Sequence, residues 1–187
     1  MLPVGELKRG TALILDNEPW VVSVFDFVKP GKGQAMYRTK LRNLITGAIV
    51  ERTFRSGDSF EPAHLDQHDA QYLYRDGDSY TFMDNDSYEQ FTIAEESLGD
   101  GKNFLIDNLP VEIMFFQGKP IGVNIPNFIN LRVVKTEAWA KGDTSGSDSK
   151  PATLETGYTV RVPPFINEGD MIQIDTRTSE YMSRVKE

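Results

Sequence analysis

Apolar and polar positions alternate along most of this chain with a period of two, not the 3.6 of a helix. "TALILDNEPWVVSVFDF" (11–27) reads as a strand, a turn at Asp16-Asn17 and a second strand. "YRTKLRNLITGAIVERTFR" (37–55) reads as two strands around Thr46-Gly47. "QYLYRDGDSYTFMD" (71–84) predicts a hairpin in which Tyr72 and Tyr74 alternate, Asp76-Gly77 turns, and Tyr80 and Phe82 alternate. "VEIMFFQGKPIGVNIP" (111–126) repeats the pattern with a turn at Gln117-Gly118. "YTVRVPPFINEGDMIQIDTRTSEYMSRV" (158–185) repeats it again and turns near Glu168-Gly169. The helical signal is confined to "TIAEESLGDGKNFLIDN" (92–108), where Glu95 and Glu96 suit a first turn and Gly99 a stop. Short strands joined by tight turns predict an all-β chain of small barrels.

Two proline-bearing junctions, "EPAHLD" and "IPNF", divide the chain into expected units of 1–63, 64–127 and 128–187. Each is at the small end of what folds alone. The chain has no cysteine, which excludes disulfides, thiolate metal sites and cysteine nucleophiles. Nothing approaches the roughly 18 apolar residues of a membrane helix, and the N-terminus has no apolar signal region, so a cytoplasmic protein is expected.

The formal net charge is −8, but the signs are segregated. From Lys29 to Arg55 seven basic residues are opposed only by Glu51, whereas from Asp58 to Gly101 Arg75 is the lone Arg or Lys among many Asp and Glu. Two separate surfaces follow.

Catalytic chemistry is hard to place. His64 and His68 in "HLDQHD" lack the glutamate of a zinc-protease motif and are expected to be exposed in an acidic linker. "DNDSYE" (84–89) lacks the glycine and later glutamate of a calcium loop and reads as a polar connection between strands. "KPGKGQA" (29–35) lacks the spacing of a phosphate loop, and a strand rather than a helix follows it. No G-x-S-x-G elbow is present. A binding protein rather than an enzyme is the expectation, with neither metal nor cofactor.

What "KPGKGQA" does offer is a tight turn with Lys32 at its tip between Gly31 and Gly33. In the strand that follows, two-residue spacing places Arg38, Lys40 and Arg42 on one face, and Tyr37, Thr39 and Leu41 on the other. A row of cations on a strand suits a phosphate backbone, and the acidic remainder would confine nucleic acid to this surface. From these residues alone a generic OB-type RNA-binding protein remains an alternative, though the acidic balance weakens it. The polar stretch "KGDTSGSDSKPA" (141–152) reads as a surface loop whose small groups could also read nucleotide edges.

Taken together, "FVKPGKGQA", "RTKLRNLITGAIVERTFRSGD", "YLYRDGDSYTFMDNDSYEQ", "KGDTSG", "KPATLETGYTVRVPPFINEGD" and "IDTRTSEYMSRVK" resemble bacterial elongation factor P over essentially the whole chain. "IPNF" approximates that family's "PPNF". The tip is that of the main family, not of its elongation-factor-P-like paralogue. The resemblance implies a KOW-type (SH3-like) barrel followed by two OB folds, in an L-shaped arrangement that mimics tRNA. It implies a monomer that binds the 70S ribosome between the peptidyl and exit sites, contacts the peptidyl tRNA and relieves stalls on consecutive prolines. Lys32 would be the tip residue reaching the CCA end, with Pro30, Gly31, Gly33, Arg38, Lys40 and Arg42 around or behind it. Lys32 would also be the site of a covalent extension, such as β-lysylation or aminopentanol, made by a lysine-modifying enzyme; some members work unmodified. Gly142, Asp143 and Thr144 would form the loop at the exit-site codon of the mRNA, and Tyr181 and Arg184 would face tRNA. The departures are Met36, where Phe is usual, and Ser179, where Gly is frequent.

Overall fold

The computed structural model describes residues 1–138 and 149–186. Three antiparallel sheets succeed one another along the chain. The first contains β1 (Leu2–Pro3), β2 (Ala12–Leu15), β3 (Glu18–Val28), β4 (Met36–Asn43), β5 (Ile49–Arg55) and β6 (Ser59–Pro62), in the order β1-β6-β2-β3-β4-β5. A single 3₁₀ turn, Val4–Glu6, follows β1. The second contains β7 (Asp66–Asp76), β8 (Ser79–Asp84), β9 (Gln90–Ala94), β10 (Pro110–Phe116) and β11 (Lys119–Asn124), in the order β11-β10-β7-β8-β9. The third contains β12 (Phe128–Thr136), β13 (Lys150–Leu154), β14 (Thr159–Val162), β15 (Met171–Asp175) and β16 (Glu180–Arg184), in the order β14-β13-β12-β15-β16. The edge strands β9 and β11 approach each other, as do β14 and β16, so the second and third sheets curl toward closed barrels.

The two-residue turns are made by the expected residues. Asp16 and Asn17 both have positive φ (53° and 64°), as do Gln117 and Gly118 (50° and 75°). This is the geometry whose twist matches the flanking strands. The helical segment forms as α1 (Glu95–Leu98), stopped by Gly99 at φ 56°, and a 3₁₀ turn follows over Gly99–Phe104.

Four expectations need correction. The turn between β7 and β8 is centred on Gly77 and Asp78, one residue later than expected, because Asp76 pairs with Ser79. Tyr72 and Tyr74 do not share a face. The register shifts between them at a bulge, so Tyr72 is buried and Tyr74 exposed. The chain does turn at Glu168-Gly169, but the strands on either side are not hairpin partners: β14 pairs with β13, and β15 with β12 and β16. The actual hairpin there is β15–β16, closed where the Ser179 N–H donates to the Asp175 carbonyl at 2.8 Å. Ser179 sits at φ 61°, the conformation glycine reaches most easily. Finally, His68 is not in a linker; it lies on β7 opposite Ile113 of β10.

Burial divides the molecule unevenly. The first sheet encloses its own core of Val4, Leu7, Leu13, Trp20, Val22, Leu41 and Phe60. The second and third sheets share one continuous core, from Ala70, Phe82 and Phe104 through to Leu131, Leu154 and Ile174. Phe104 meets Tyr158 edge-on at 5.5 Å, and the Thr156 hydroxyl donates to the Asn103 carbonyl at 2.7 Å. The first and second sheets meet through a smaller apolar joint of Leu44, Phe116 and Ile121.

Candidate nucleic-acid interface

β3 and β4 form the longest-reaching hairpin of the first sheet, pairing from Trp20–Asn43 out to Val28–Met36. Lys29 to Ala35 span its end, and Gly31, Lys32 and Gly33 are all exposed. Gly33 adopts φ 147°, and a Cβ there would come within 3.3 Å of the Pro30 ring, so both backbone and space favour glycine. At Gly31 a Cβ would meet nothing within 4 Å. Its effect is to keep the neighbourhood of Lys32 slim.

Below the tip, β4 alternates as its sequence predicts. Arg38, Lys40 and Arg42 are exposed, while Thr39, Leu41 and Asn43 are buried. Thr39 sits in the apolar face because its hydroxyl donates to the Arg52 carbonyl at 3.0 Å. The row of cations is not bare, however. Lys40 Nζ lies 3.0 Å from a carboxylate oxygen of Glu51 on β5, and Asp26 of β3 stands in register with Arg38. The outward face is therefore two arginines flanking an exposed ion pair.

The inward face carries a feature that charge patterning did not reveal. Tyr37 stacks against Phe25 at 5.4 Å and leans on Phe27 at 5.1 Å, at the second rung beneath the loop. On β5, Phe54 shares the rung of Tyr37 and packs edge-on against Phe60 of the core at 4.6 Å. The sequence signal was available: Phe25, Phe27 and Tyr37 follow the same period-two rule as the arginines on the opposite face.

The other candidate residues lie elsewhere. Tyr181 and Arg184 are on β16 in the third sheet. Tyr181 is half-buried against the shared core, and this burial raises its phenol pKa. Arg184 stacks over Phe165 at 5.7 Å and approaches Asp170 at 3.8 Å. Gly142, Asp143 and Thr144 lie outside the described residues. Arg42, exposed on the outward face, also borders a cleft of about 1030 Å³ that reaches Asp69, Asp100, Glu112 and Arg177. Within that cleft Arg177 is already held by both oxygens of Asp175, at 3.0 and 2.7 Å. These bonds hold the Asp175 carboxyl below its ordinary pKa.

His64 and His68 are both exposed, as expected, but His68 has structural partners. The His68 ring nitrogen Nδ1 is 2.6 Å from Asp84, and the ring packs on Phe115 at 4.8 Å. Asp84 also accepts from the backbone N–H groups of Asp86 at 2.8 Å and Ser87 at 2.9 Å, which shapes the polar connection after β8. These backbone bonds, led by that of Ser87, and the contact with His68 lower the Asp84 carboxyl to about 2. Among the described residues no group of three or more His, Asp or Glu is placed to hold a metal ion. Nor is any helix among them long and apolar enough to cross a membrane.

Comparison with known proteins agrees with this architecture. Residues 3–60 match the Elongation factor P (EF-P) KOW-like domain, residues 65–123 the Elongation factor P (EF-P) OB domain, and residues 129–184 Elongation factor P, C-terminal. The all-β expectation of a KOW-like barrel followed by two OB folds is thereby met. The chain is 62% identical over 186 residues to Elongation factor P 2 of Geobacter sulfurreducens, covering 100% of both chains. It is 52% identical over 186 residues to Elongation factor P of Desulfatibacillum aliphaticivorans, again covering 100% of each. Among solved structures it is similar to eukaryotic translation initiation factor 5A from Methanococcus jannaschii, with a TM-score of 0.52 at 25% identity, covering 64% of this chain and 88% of that one. An exposed lysine tip on a one-faced basic hairpin, carried by three sheets that match three successive family domains, has one reading: the chain belongs to the elongation factor P family of bacterial translation elongation factors.

Proposed function

We infer that this protein docks as a cytoplasmic monomer on the 70S ribosome beside the peptidyl tRNA and promotes peptide-bond formation where consecutive prolines stall it. The observation that carries this is Lys32, exposed between two glycines at the end of the β3–β4 hairpin. The family match supplies the ribosomal setting, and Arg38 and Arg42 supply exposed cations toward phosphate.

Proline has a fixed φ and, as the incoming residue, presents a constrained secondary amine, so its attack on the peptidyl ester is poorly oriented. A factor that braces the peptidyl tRNA lowers the orientational part of that barrier. The ribosome performs the chemistry, and the protein acts as a brace rather than as an enzyme. Covalent extension of Lys32 by a modifying enzyme would carry the brace further into the site. Tyr181 and Arg184 would contact tRNA from the third sheet, and the loop with Gly142, Asp143 and Thr144 would meet the mRNA at the exit site.

Lys32→Ala tests the reading. Translation of a Pro-Pro-Pro reporter should fall to the level without the factor, while the far-ultraviolet circular dichroism and melting temperature of the protein stay unchanged. Full reporter activity in this variant would overturn the assignment.

A further inference from the structure

The apolar face of the tip hairpin outruns the core that it serves. Tyr37, Thr39 and Leu41 form the inward face of β4, yet only Thr39 and Leu41 are fully buried. At the next rung outward the face is still aromatic: Phe27 pairs with Tyr37 in register, and 55% of Phe27 is exposed. An aromatic ring left this exposed gains little from burial, so its presence calls for another account.

The geometry points to a positioning role for the trio Phe25, Phe27 and Tyr37: a clasp that stiffens the hairpin stem and fixes the direction in which Lys32 projects. Tyr37 touches a ring on either side, Phe25 at 5.4 Å and Phe27 at 5.1 Å. Its hydroxyl reaches the 3₁₀ turn at Gly5, where a Cβ would come within 3.4 Å of that oxygen. The stem thus packs against the N-terminal turn as well as against itself. The rung continues to Phe54 on β5, and from there to Phe60 in the core. Aromatic side chains therefore occupy one face from the second rung beneath the loop, across β3, β4 and β5, to Phe60 in the core. Lower in the same hairpin, the register of β3 shifts around Ser23, whose hydroxyl donates to the Lys40 carbonyl at 2.9 Å. That bulge bends the stem, and the clasp holds the bent stem in one direction.

Beyond Val22 the sheet narrows to β3, β4 and β5, which run together to the loop; a narrow projecting sheet gains stiffness from cross-strand side-chain pairs, aromatic pairs among them. Placement matters to a brace: a misplacement of about 1 Å can reduce a positioned reaction by up to about 10²-fold. The clasp residues act through Lys32 and touch no reacting group. This inference rests on the functional reading above.

The test uses Phe27→Ala, which removes a half-exposed ring and leaves the core intact, alongside Tyr37→Leu and the conservative Tyr37→Phe. All proteins are compared in one Lys32 modification state, verified by intact mass. Reconstituted ribosomes synthesise a Pro-Pro bond while the factor is titrated. Phe27→Ala and Tyr37→Leu should lower the rate at saturating factor by about three- to tenfold. The concentration for half-maximal effect should stay within about twofold, because the charged contacts are retained. Tyr37→Phe should keep the full rate, and amide exchange across residues 29–35 should quicken only in the first two variants. An unchanged saturating rate in Phe27→Ala overturns the positioning role, as does a loss that appears only in the half-maximal concentration. Lys32→Ala runs beside them: if it keeps full activity, the functional reading has failed rather than the clasp.

Discussion

The tip hairpin and the body formed by the second and third sheets solve opposite problems. The body shares one uninterrupted core and is laced across by the Phe104–Tyr158 contact and the Thr156–Asn103 hydrogen bond. The hairpin belongs to a sheet with a core of its own, and that sheet meets the body through the small apolar joint of Leu44, Phe116, Ile121 and their partly buried neighbours. The body's second sheet is strongly acidic, whereas the hairpin's outward strand is basic. A rigid body and a lightly joined arm can be adjusted separately: the body sets a fixed distance, and the joint sets the angle at which the arm leaves it.

The largest effect should come from cutting the body's core. Phe104 is fully buried between the second and third sheets. Phe104→Ala should destabilise the protein by about 3–5 kcal/mol, a large part of a typical domain's stability. If the two sheets form one cooperative body, denaturant unfolding followed by resonances in each should show both transitions move together. Separate midpoints would break the comparison.

The joint should yield less. Leu44 sits on a turn pinned by the Asn43 side chain, which accepts from the N–H groups of Ile45 at 2.8 Å and Thr46 at 2.9 Å. Because the cluster around it is small, Leu44→Ala should cost about 2 kcal/mol, the low end for a buried leucine. The loss should appear as uncoupling: in a Trp139→Phe background, Trp20 fluorescence should report a transition at lower denaturant than the body's circular dichroism. Coincident transitions would mean that the joint carries no coupling.

Acid should separate the regions in the reverse sense. Among the described residues, three carboxylates with lowered pKa values lie in the body: Asp84, held chiefly by backbone N–H groups, Glu95, held by Lys102, and Asp175, held by Arg177. A carboxyl lowered in the folded state contributes stability above its unfolded pKa, and loses it as pH falls through the folded value. For Asp84 that window runs from 3.8 down to about 2. Denaturant midpoints of the body should therefore fall between pH 4 and pH 2, by a smaller amount in Asp84→Asn than in the wild type. Equal acid sensitivity in the two proteins would remove Asp84 from the account.

Much of this was legible in the sequence because period two is a strong signal. The alternation of Arg38, Lys40 and Arg42 with Thr39 and Leu41 survives unchanged, as do the Asp16-Asn17 and Gln117-Gly118 turns. What escaped were features decided by strand pairing. The bulge between Tyr72 and Tyr74 moves one tyrosine to the other face, and no local propensity marks where a register will slip. Pairing of β15 with β12 rather than β14 is likewise a non-local choice. His68 looked like a linker residue in an acidic segment, and only tertiary contact with Asp84 and Phe115 gives it a structural place. At the candidate site the charges were legible and their pairing was not: Glu51 was visible as the one opposing residue, but only the β4–β5 register sets it against Lys40.

That pair gives the smallest and most diagnostic effect. Both side chains are exposed, 49% for Lys40 and 73% for Glu51. Glu51→Gln should therefore change stability by no more than about 0.5 kcal/mol. Its consequence is electrostatic, because it leaves Lys40, which stands between Arg38 and Arg42 on β4, without its counter-charge on β5. If the outward face of β4 meets phosphate, Glu51→Gln should tighten ribosome binding by about twofold at low salt, and the gain should vanish as ionic strength rises. Lys40→Gln should weaken binding by a similar factor with the same salt dependence. If both variants bind as the wild type does at every salt concentration, the face is not an RNA contact. The contrast between basic arm and acidic body would then serve only to keep nucleic acid off the body, leaving Lys32 and its slim tip to carry recognition alone.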